Sequence, residues 1–169
     1  MTEMLQTATG ELKAGRERVI LRAMQTDDLQ QVAAIEADSF SAPWPVASFR
    51  NELELRGVSE PVVGVHEGRV VGYIIPWFIA DELQIISVAV QKKFRNRGIG
   101  RLLLSHVLDL ARQRRCRVVY LEVRRSNGVA HHLYRSLGFV PDGVRSKYYD
   151  RENEDAIIMK KELFHIISH

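Results

Sequence analysis

The stretch Val88-Ala89-Val90-Gln91-Lys92-Lys93-Phe94-Arg95-Asn96-Arg97-Gly98-Ile99-Gly100-Arg101 constrains this chain more than any other. An apolar run of strand length passes into a basic, glycine-containing loop. The loop opens onto Leu102, Leu103, Leu104, Val107, Leu108 and Ala111 at helical spacing. Lacking a Cβ, Gly98 and Gly100 let backbone N–H groups approach an anion, and a helix N-terminus adds unsatisfied donors and a positive dipole end. Arg95, Arg97 and Arg101 contribute full charges. The combination predicts a diphosphate site at a strand-to-helix junction.

Spacing separates the competing phosphate-binding patterns. A P-loop requires a Gly-Lys-Ser/Thr ending, which is absent. A dinucleotide fingerprint requires a third glycine where Leu103 stands, although Glu122 does lie about 20 residues onward as that fingerprint would have it. A third reading makes the glycines turn caps and the arginines solvated charges.

The rest of the chain decides the architecture. Arg18 to Met24 reads as a strand with Val19 and Leu21 opposed to Ile20 and Arg22. Thr26 is a plausible N-cap, with Asp27 and Asp28 in the first turn of a helix carrying Leu29, Val32, Ala33 and Ile35. Phe40 to Trp44 breaks that helix at Pro43, and a second runs from about Val46 to Leu55 with Phe49 and Leu53 on one face. Val62 to His66 and Val70 to Ile79 flank a turn at Glu67-Gly68 and read as a hairpin, followed by a strand from Leu83 to Val90. Gly100 to Gln113 is helical, Val118 to Val123 a strand, and Ala130 to Leu137 a helix stopped by Gly138. Phe139 to Val144 and Ala156 to Met159 are the closing strands. The fold class is α/β: a mixed, largely antiparallel twisted sheet of six or seven strands flanked by about four helices. Residues 16–163 form one domain, with 1–15 a loosely ordered extension and 164–169 a tail.

Composition narrows the function classes. The 169 residues, 46% of them hydrophobic, suit a single core. Charged residues make up 27% with both signs interspersed, and the net charge of +3 permits an anionic partner without requiring nucleic acid. Cys116 is the sole cysteine, so no internal disulfide or cysteine-cluster metal site is available; despite Arg114, Arg115 and Arg117 it reads as a small buried hydrophobe. No apolar run approaches the roughly 18 residues of a membrane span, and residues 1–15 lack the apolar stretch of a secretory leader, so the cytoplasm is the expected compartment and no membrane is a partner. The histidines show no ligand spacing. His131 and His132 are adjacent, diverge on a helix and read as surface, and no metal is expected.

Arg95-x-x-Gly98-x-Gly100 after an apolar strand resembles the acyl-CoA pyrophosphate motif of the GNAT superfamily of N-acetyltransferases, and the order of elements from Arg18 to Met159 is similar to that family. The resemblance implies acetyl-CoA as the acetyl donor. Val88, Ala89 and Val90 would offer backbone to the pantetheine arm, and Arg95, Asn96, Arg97, Gly98, Ile99, Gly100 and Arg101 would hold the diphosphate. A second group of motifs resembles the RimI-type ribosomal-protein alanine acetyltransferases. These are Leu121-Glu122-Val123-Arg124-Arg125-Ser126-Asn127, Leu133-Tyr134, Ser136-Leu137-Gly138-Phe139, and Tyr148-Tyr149 ahead of Glu154-Asp155-Ala156-Ile157-Ile158-Met159. Pro43-Trp44 and Asp81-Glu82 fit the same family. What this implies is acetylation of the N-terminal alanine of small-subunit ribosomal protein eighteen, whose N-terminal peptide is then the partner. The chain departs from the family in a short connection from Tyr149 to Glu154 and in Gly128, His131 and His132, which bears on peptide specificity more than on acetyl transfer.

Acetyl transfer to an amine needs a neutral nitrogen, donors for the thioester oxygen and a proton for the departing thiolate. An α-amine of pKa about 8 is already partly neutral, whereas a lysine amine at about 10.4 needs much stronger help. Glu122, out of character in an apolar run, is the base carried over from the family motif, with Glu82 in reserve; its plain alternative is an outward-facing strand glutamate. Tyr134 is the acid for the thiolate, its alternative a core tyrosine. Asn127 either caps its helix or binds the cofactor, and the Val90 N–H is the expected donor to the thioester oxygen. Phe40, Trp44 and Tyr148 would wall the peptide groove, with core packing the alternative for Phe40. Two other functions stay open: a GNAT enzyme acting on lysine or a small amine, and a non-catalytic CoA-sensing or ribosome-binding module.

Overall fold

Segments of alternating apolar residues fold as strands, and those with three- and four-residue apolar spacing fold as helices, in a computed structural model that describes the backbone of residues 11–14, 17–149 and 154–163 and the side chains of 17–146 and 154–163. In chain order the elements are β1 (Glu11–Ala14), β2 (Glu17–Ala23), α1 (Leu29–Ser39), α2 (Val46–Glu54), β3 (Val62–His66), β4 (Arg69–Ile79), β5 (Glu82–Val90), α3 (Ile99–Gln113), β6 (Val118–Arg124), α4 (Gly128–Ser136), β7 (Val140–Tyr149) and β8 (Glu154–Glu162). The strands make one eight-stranded sheet in the order β1-β2-β3-β4-β5-β6-β8-β7. β5 and β6 run parallel, with Glu82–Ile85 in register with Val118–Leu121. Antiparallel pairing joins β1 to β2, β2 to β3, β3 to β4, β6 to β8 and β7 to β8.

β1 is the strand beyond expectation. Glu11–Ala14, read from sequence as part of a loosely ordered extension, pairs with β2 from Glu11↔Ile20 to Ala14↔Glu17. The strand satisfies backbone groups along an edge, which a short polar segment can do without an apolar signature of its own. The other residues of the expected extension and the tail at 164–169 lie outside the described residues.

The described residues of Met1–Trp77 together with Ser87–Val107 form one compact unit. Its core holds Val19, Leu21, Val32, Phe49, Val63, Val71, Tyr73, Ile74, Leu103 and Leu104. The β3–β4 hairpin turns through Glu67 (φ 48°) and Gly68 (φ 77°), both left-handed, the backbone a two-residue hairpin loop requires. α1 begins differently from expectation. A 3₁₀ turn, Thr26–Asp28, precedes it, and the cap comes from Asp28, whose Oδ2 accepts the Gln25 N–H at 2.8 Å. Arg22 grips the same carboxylate at 2.7 and 2.9 Å. Burial pushes the Asp28 carboxyl up, but the Arg22 hydrogen bond, the Gln25 amide and the Arg22 charge together hold it below the ordinary carboxylate range.

Phe78–Ile86 and the described residues of Leu108–His169 form the second unit. Leu83, Val118, Val119, Leu121, Val123, Phe139, Ala156 and Met159 are its core. Gly138 follows α4 at φ 93°, a left-handed stop that calls for glycine, whereas Lys161 Nζ, 2.5 Å from where a Cβ would stand, is the end of a flexible side chain that can move aside. Cys116 is buried, as its reading as a small hydrophobe anticipates, and burial pushes its thiol up despite the opposing charge of Arg114.

Candidate active site

β5 ends against β4: the Gln91 N–H donates to Val71 O at 2.7 Å, and a 3₁₀ turn, Lys92–Phe94, follows. Asn96 (φ 62°) and Gly98 (φ 85°) are left-handed. Left-handed residues interspersed through a loop turn successive N–H groups toward one side and form an anion-binding concavity. α3 starts immediately beyond, at Ile99, with its first amides lacking helical partners. Ile99, Leu103 and Leu104 are buried and anchor this helix start. Close packing beneath the loop depends on Gly72, where a Cβ would meet Ala89 O and Leu103 Cδ1, each at 3.1 Å. Backbone amides and the helix dipole at residues 96–101 could therefore hold an anionic group such as a diphosphate.

The three arginines of the loop are not equivalent. Arg95 folds back, its Nε donating to Val90 O and its Nη2 to Ser39 Oγ, both at 3.0 Å. Arg97 forms an ion pair with Glu17 of β2 and stands over the Phe94 ring at 5.3 Å. Arg101 is exposed on the first turn of α3. Val88 and Val90 are half-buried and Ala89 is buried.

In the same unit, the connection from α1 to α2 carries Phe40 and Trp44, both half-buried. The Trp44 N–H donates to Glu36 Oε1 at 3.2 Å, and the Tyr73 hydroxyl donates to Glu36 Oε2. The Trp44 ring tilts onto Phe49 at 5.4 Å, and Phe49 meets the Tyr73 ring edge-on at 5.5 Å. Burial pushes the Glu36 carboxyl above its ordinary range, only partly offset by Tyr73 and Trp44. Burial and the facing Glu36 also push the Tyr73 phenol far up. A second buried glutamate, Glu52 of α2, accepts from Ser59 Oγ at 2.6 Å and Trp77 Nε1 at 2.8 Å. The sequence reading missed Glu36, Glu52 and Tyr73. Their signal was there, since Glu36 continues the stripe Leu29, Val32, Ala33 and Glu52 lies three residues beyond Phe49. The expected partner of Phe49, Leu53, is only half-buried.

In the second unit, β6 alternates: Val119, Leu121 and Val123 are buried while Tyr120, Glu122 and Arg124 are half-buried. Glu122 lies opposite Ile158 of β8, and its Oε1 is 2.8 Å from Arg145 Nη2. Tyr134 is buried on α4 with its ring against Phe139 at 6.0 Å. Asn127 caps α4, its Oδ1 accepting the Ala130 N–H at 3.1 Å, which is why the helix starts at Gly128, ahead of the expected Ala130. His131 is half-buried, against the surface reading of the pair, because its Nε2 lies 3.0 Å from Arg124 O; His132 is exposed. Glu154 anchors the β6–α4 turn by accepting the Ser126 N–H at 2.7 Å, and its bonds from Ser126, with the Arg124 charge, hold the carboxyl low. Glu82, the reserve base, lies 3.6 Å from Arg117 Nη2, with Asp81 3.1 Å from Arg117 Nε. The side chain of Tyr148 lies outside the described residues. Among the described residues no group of histidine, cysteine and carboxylate side chains could hold a metal ion, and no helix is long and apolar enough to cross a membrane.

β5 and β6 run parallel in this mixed sheet, and a glycine-containing loop leads from β5 into α3. The chain belongs to the acetyltransferase (GNAT) family, whose model matches residues 29–139. It is 37% identical over 161 residues to the N-alpha-acetyltransferase RimI of Mycobacterium tuberculosis, covering 89% of this chain and 97% of that protein. It is 34% identical over 144 residues to a Bacillus subtilis protein named as a putative ribosomal protein bS18-alanine N-acetyltransferase, covering 85% of this chain and 95% of the relative. Among solved structures, the crystal structure of the ribosomal-protein-S18-alanine N-acetyltransferase from Escherichia coli superposes with a TM-score of 0.80 at 28% identity, over 89% of this chain and 99% of that one.

Proposed function

We propose that this acetyltransferase transfers the acetyl group of acetyl-CoA to the N-terminal α-amine of a protein, the alanine at the start of ribosomal protein bS18. The observation that carries the reading is the likeness, along nearly their whole length, to proteins named for that reaction. Acetyl-CoA supplies the acetyl group as a thioester. The amides of residues 96–101 and the charge of Arg101 hold its diphosphate, and Val88, Ala89 and Val90 offer backbone to its pantetheine arm, with the Val90 N–H donating to the thioester oxygen. Arg95 and Arg97 serve through their backbone, because their side chains are engaged by Val90, Ser39 and Glu17.

Glu122 takes the proton of the α-ammonium, directly or through a water, and Tyr134 gives its phenolic proton to the departing thiolate. One carboxylate suffices for a group with a pKa of about 8. Asn127 acts by capping α4, which carries Tyr134. Phe40 and Trp44 line the peptide side. The expected partners are acetyl-CoA and this N-terminal peptide, with no requirement for nucleic acid or membrane, in the cytoplasm.

Competition among peptides beginning with Ala, Ser or Leu and an N-terminally blocked peptide with an internal lysine, read by mass spectrometry, tests the proposal. One or two kcal/mol of clash is already a roughly tenfold loss, so Ala peptides should outpace Leu peptides by at least that factor. The blocked peptide should trail both, since its amine is mostly protonated at neutral pH. Preference for the blocked lysine peptide overturns the N-terminal reading and favours a lysine acetyltransferase with the same donor site. Acetyl-CoA binding without turnover on any amine would favour a CoA-sensing module.

A further inference from the structure

The segment between α1 and α2 is held at its two ends in unlike ways. At Trp44 the seat is rigid: the N–H is bonded to the buried Glu36, Glu36 to the buried Tyr73, and the Trp44 ring rests on the buried Phe49. At the other end stands Ser39, the last residue of α1 and the neighbour of Phe40. Its hydroxyl donates to Ile35 O at 2.6 Å and accepts from Arg95 Nη2 at 3.0 Å, so both of its hydrogen-bonding roles are in use. Arg95 also donates through Nε to Val90 O, at the last residue of β5. One guanidinium thus spans from the start of the phosphate loop to the residue before Phe40.

Arg95 is followed at once by the left-handed Asn96 and, two residues later, by Gly98, the backbone positions that shape the anion concavity. An anion fixing those amides fixes the backbone that carries the Arg95 side chain, and the planar fork of a guanidinium transmits that placement better than a flexible ammonium would. The Phe40 N–H is bonded to Glu36 O at 3.0 Å and the Trp44 N–H to the Glu36 carboxylate, so the residues between them, Ser41 to Pro43, are the stretch that a restraint on Ser39 by Arg95 can order.

We propose that Arg95 is a positioning residue that couples occupancy of the diphosphate loop to the Phe40–Pro45 segment through Ser39, so that bound acetyl-CoA tightens the binding of the peptide. The inference rests on the reading of residues 88–101 as the donor site and of Phe40 and Trp44 as peptide-facing. Coupling of this kind is reciprocal, so peptide equally tightens acetyl-CoA. Carried by one exposed link, its size should be roughly fivefold, the low end of such couplings.

The test is hydrogen exchange with and without acetyl-CoA on the full chain, combined with steady-state kinetics, for wild type, Ser39→Ala and Ser39→Thr. In wild type, acetyl-CoA should protect the loop at 91–101 and also, within residues 40–44, the amides of Ser41 and Ala42. Ser39→Ala should keep the loop protection and bind acetyl-CoA within about twofold, lose the protection at 40–44, and raise the peptide KM roughly fivefold with kcat little changed. Ser39→Thr, which retains the hydroxyl, should restore both. In an Arg95→Ala background Ser39→Ala should add nothing to KM, as expected for two members of one link. Protection of the loop without protection of 40–44 in wild type, or an unchanged peptide KM in Ser39→Ala, overturns the coupling while leaving the donor site intact. No protection of the loop itself overturns the donor-site reading and the coupling with it.

Discussion

Arg145 reaches Glu122 across an intervening strand, with Nη2 2.8 Å from Oε1. Glu122 of β6 is in register with Ile158 of β8, Ile158 is in register with Gly143 of β7, and Arg145 lies two residues beyond Gly143 on the same face. The carboxylate proposed to receive the substrate's proton is therefore held by a cation from two strands away.

With 54% of the Arg145 side chain and 27% of the Glu122 side chain exposed, this pair contributes little to stability. Arg145→Gln should change unfolding free energy by less than about 1 kcal/mol in urea titration. It should nonetheless reduce kcat several-fold by freeing the carboxylate's orientation. Glu122→Gln should lower kcat by roughly 10² with acetyl-CoA binding retained, and raising the pH should recover part of the loss. Near-normal turnover of Glu122→Gln at neutral pH would remove Glu122 from the role of base.

Acetyl-CoA should raise the thermal midpoint, since a ligand that binds only the folded chain contributes about 2.7 kcal/mol at a hundred times its Kd. Reversing Arg97 and Arg101 together to glutamate should shrink that ligand-induced shift strongly. Because Arg97 is paired with Glu17, Arg97→Glu also sets two carboxylates together and lowers the midpoint of the free protein. The comparison that matters is the shift, with and without ligand, in each variant. An undiminished shift would place the diphosphate elsewhere.

Tyr73→Phe removes one of the donors to the buried Glu36 and should cost about 1–3 kcal/mol. The sign of its pH dependence follows from Glu36, whose carboxyl is raised in the folded state. Above the unfolded value of about 4.3 the folded chain holds this proton more tightly, so stability drains away as pH rises through that window. Losing the Tyr73 hydroxyl raises the carboxyl further. The penalty of Tyr73→Phe should accordingly be larger at pH 7.5 than at pH 4.5, and a penalty independent of pH would show that Glu36 does not carry it.

Gly72→Ala should destabilise by about 1–3 kcal/mol, because its new Cβ meets the Ala89 carbonyl at 3.1 Å and backbone cannot move aside cheaply. Gly64→Ala is the control: its nearest neighbours are side-chain atoms of Val19 at 3.2 Å and Leu21 at 3.5 Å, which have more freedom to adjust. Equal losses at the two positions, read from urea midpoints, would show that the Ala89 carbonyl yields as readily as a side chain.

What the sequence determined by itself is local. The left-handed hairpin turn at Glu67-Gly68, the helix stop at Gly138, the alternation of β2 and the strand-loop-helix of residues 88–113 are each written within a few neighbouring residues, because turn stereochemistry and apolar periodicity act over that range. The family motifs around Glu122 and Tyr134 are local strings of the same kind. Tertiary structure alone decided which charges meet. Nothing near Arg97 in sequence points to Glu17, eighty positions away, nor near Arg95 to Ser39, and the side chains of both are engaged by partners that the loop's own sequence does not name. The pairing of β1 was likewise unwritten, since a polar edge strand is defined by the partner that takes its hydrogen bonds. The spacing of Glu36 and Glu52 puts them on the apolar faces of their helices, but only the fold brings Tyr73, Trp77 and Ser59 from elsewhere to hydrogen-bond them. A side chain's reach and a strand's neighbours are set by the folded sheet, and no window along the chain contains them.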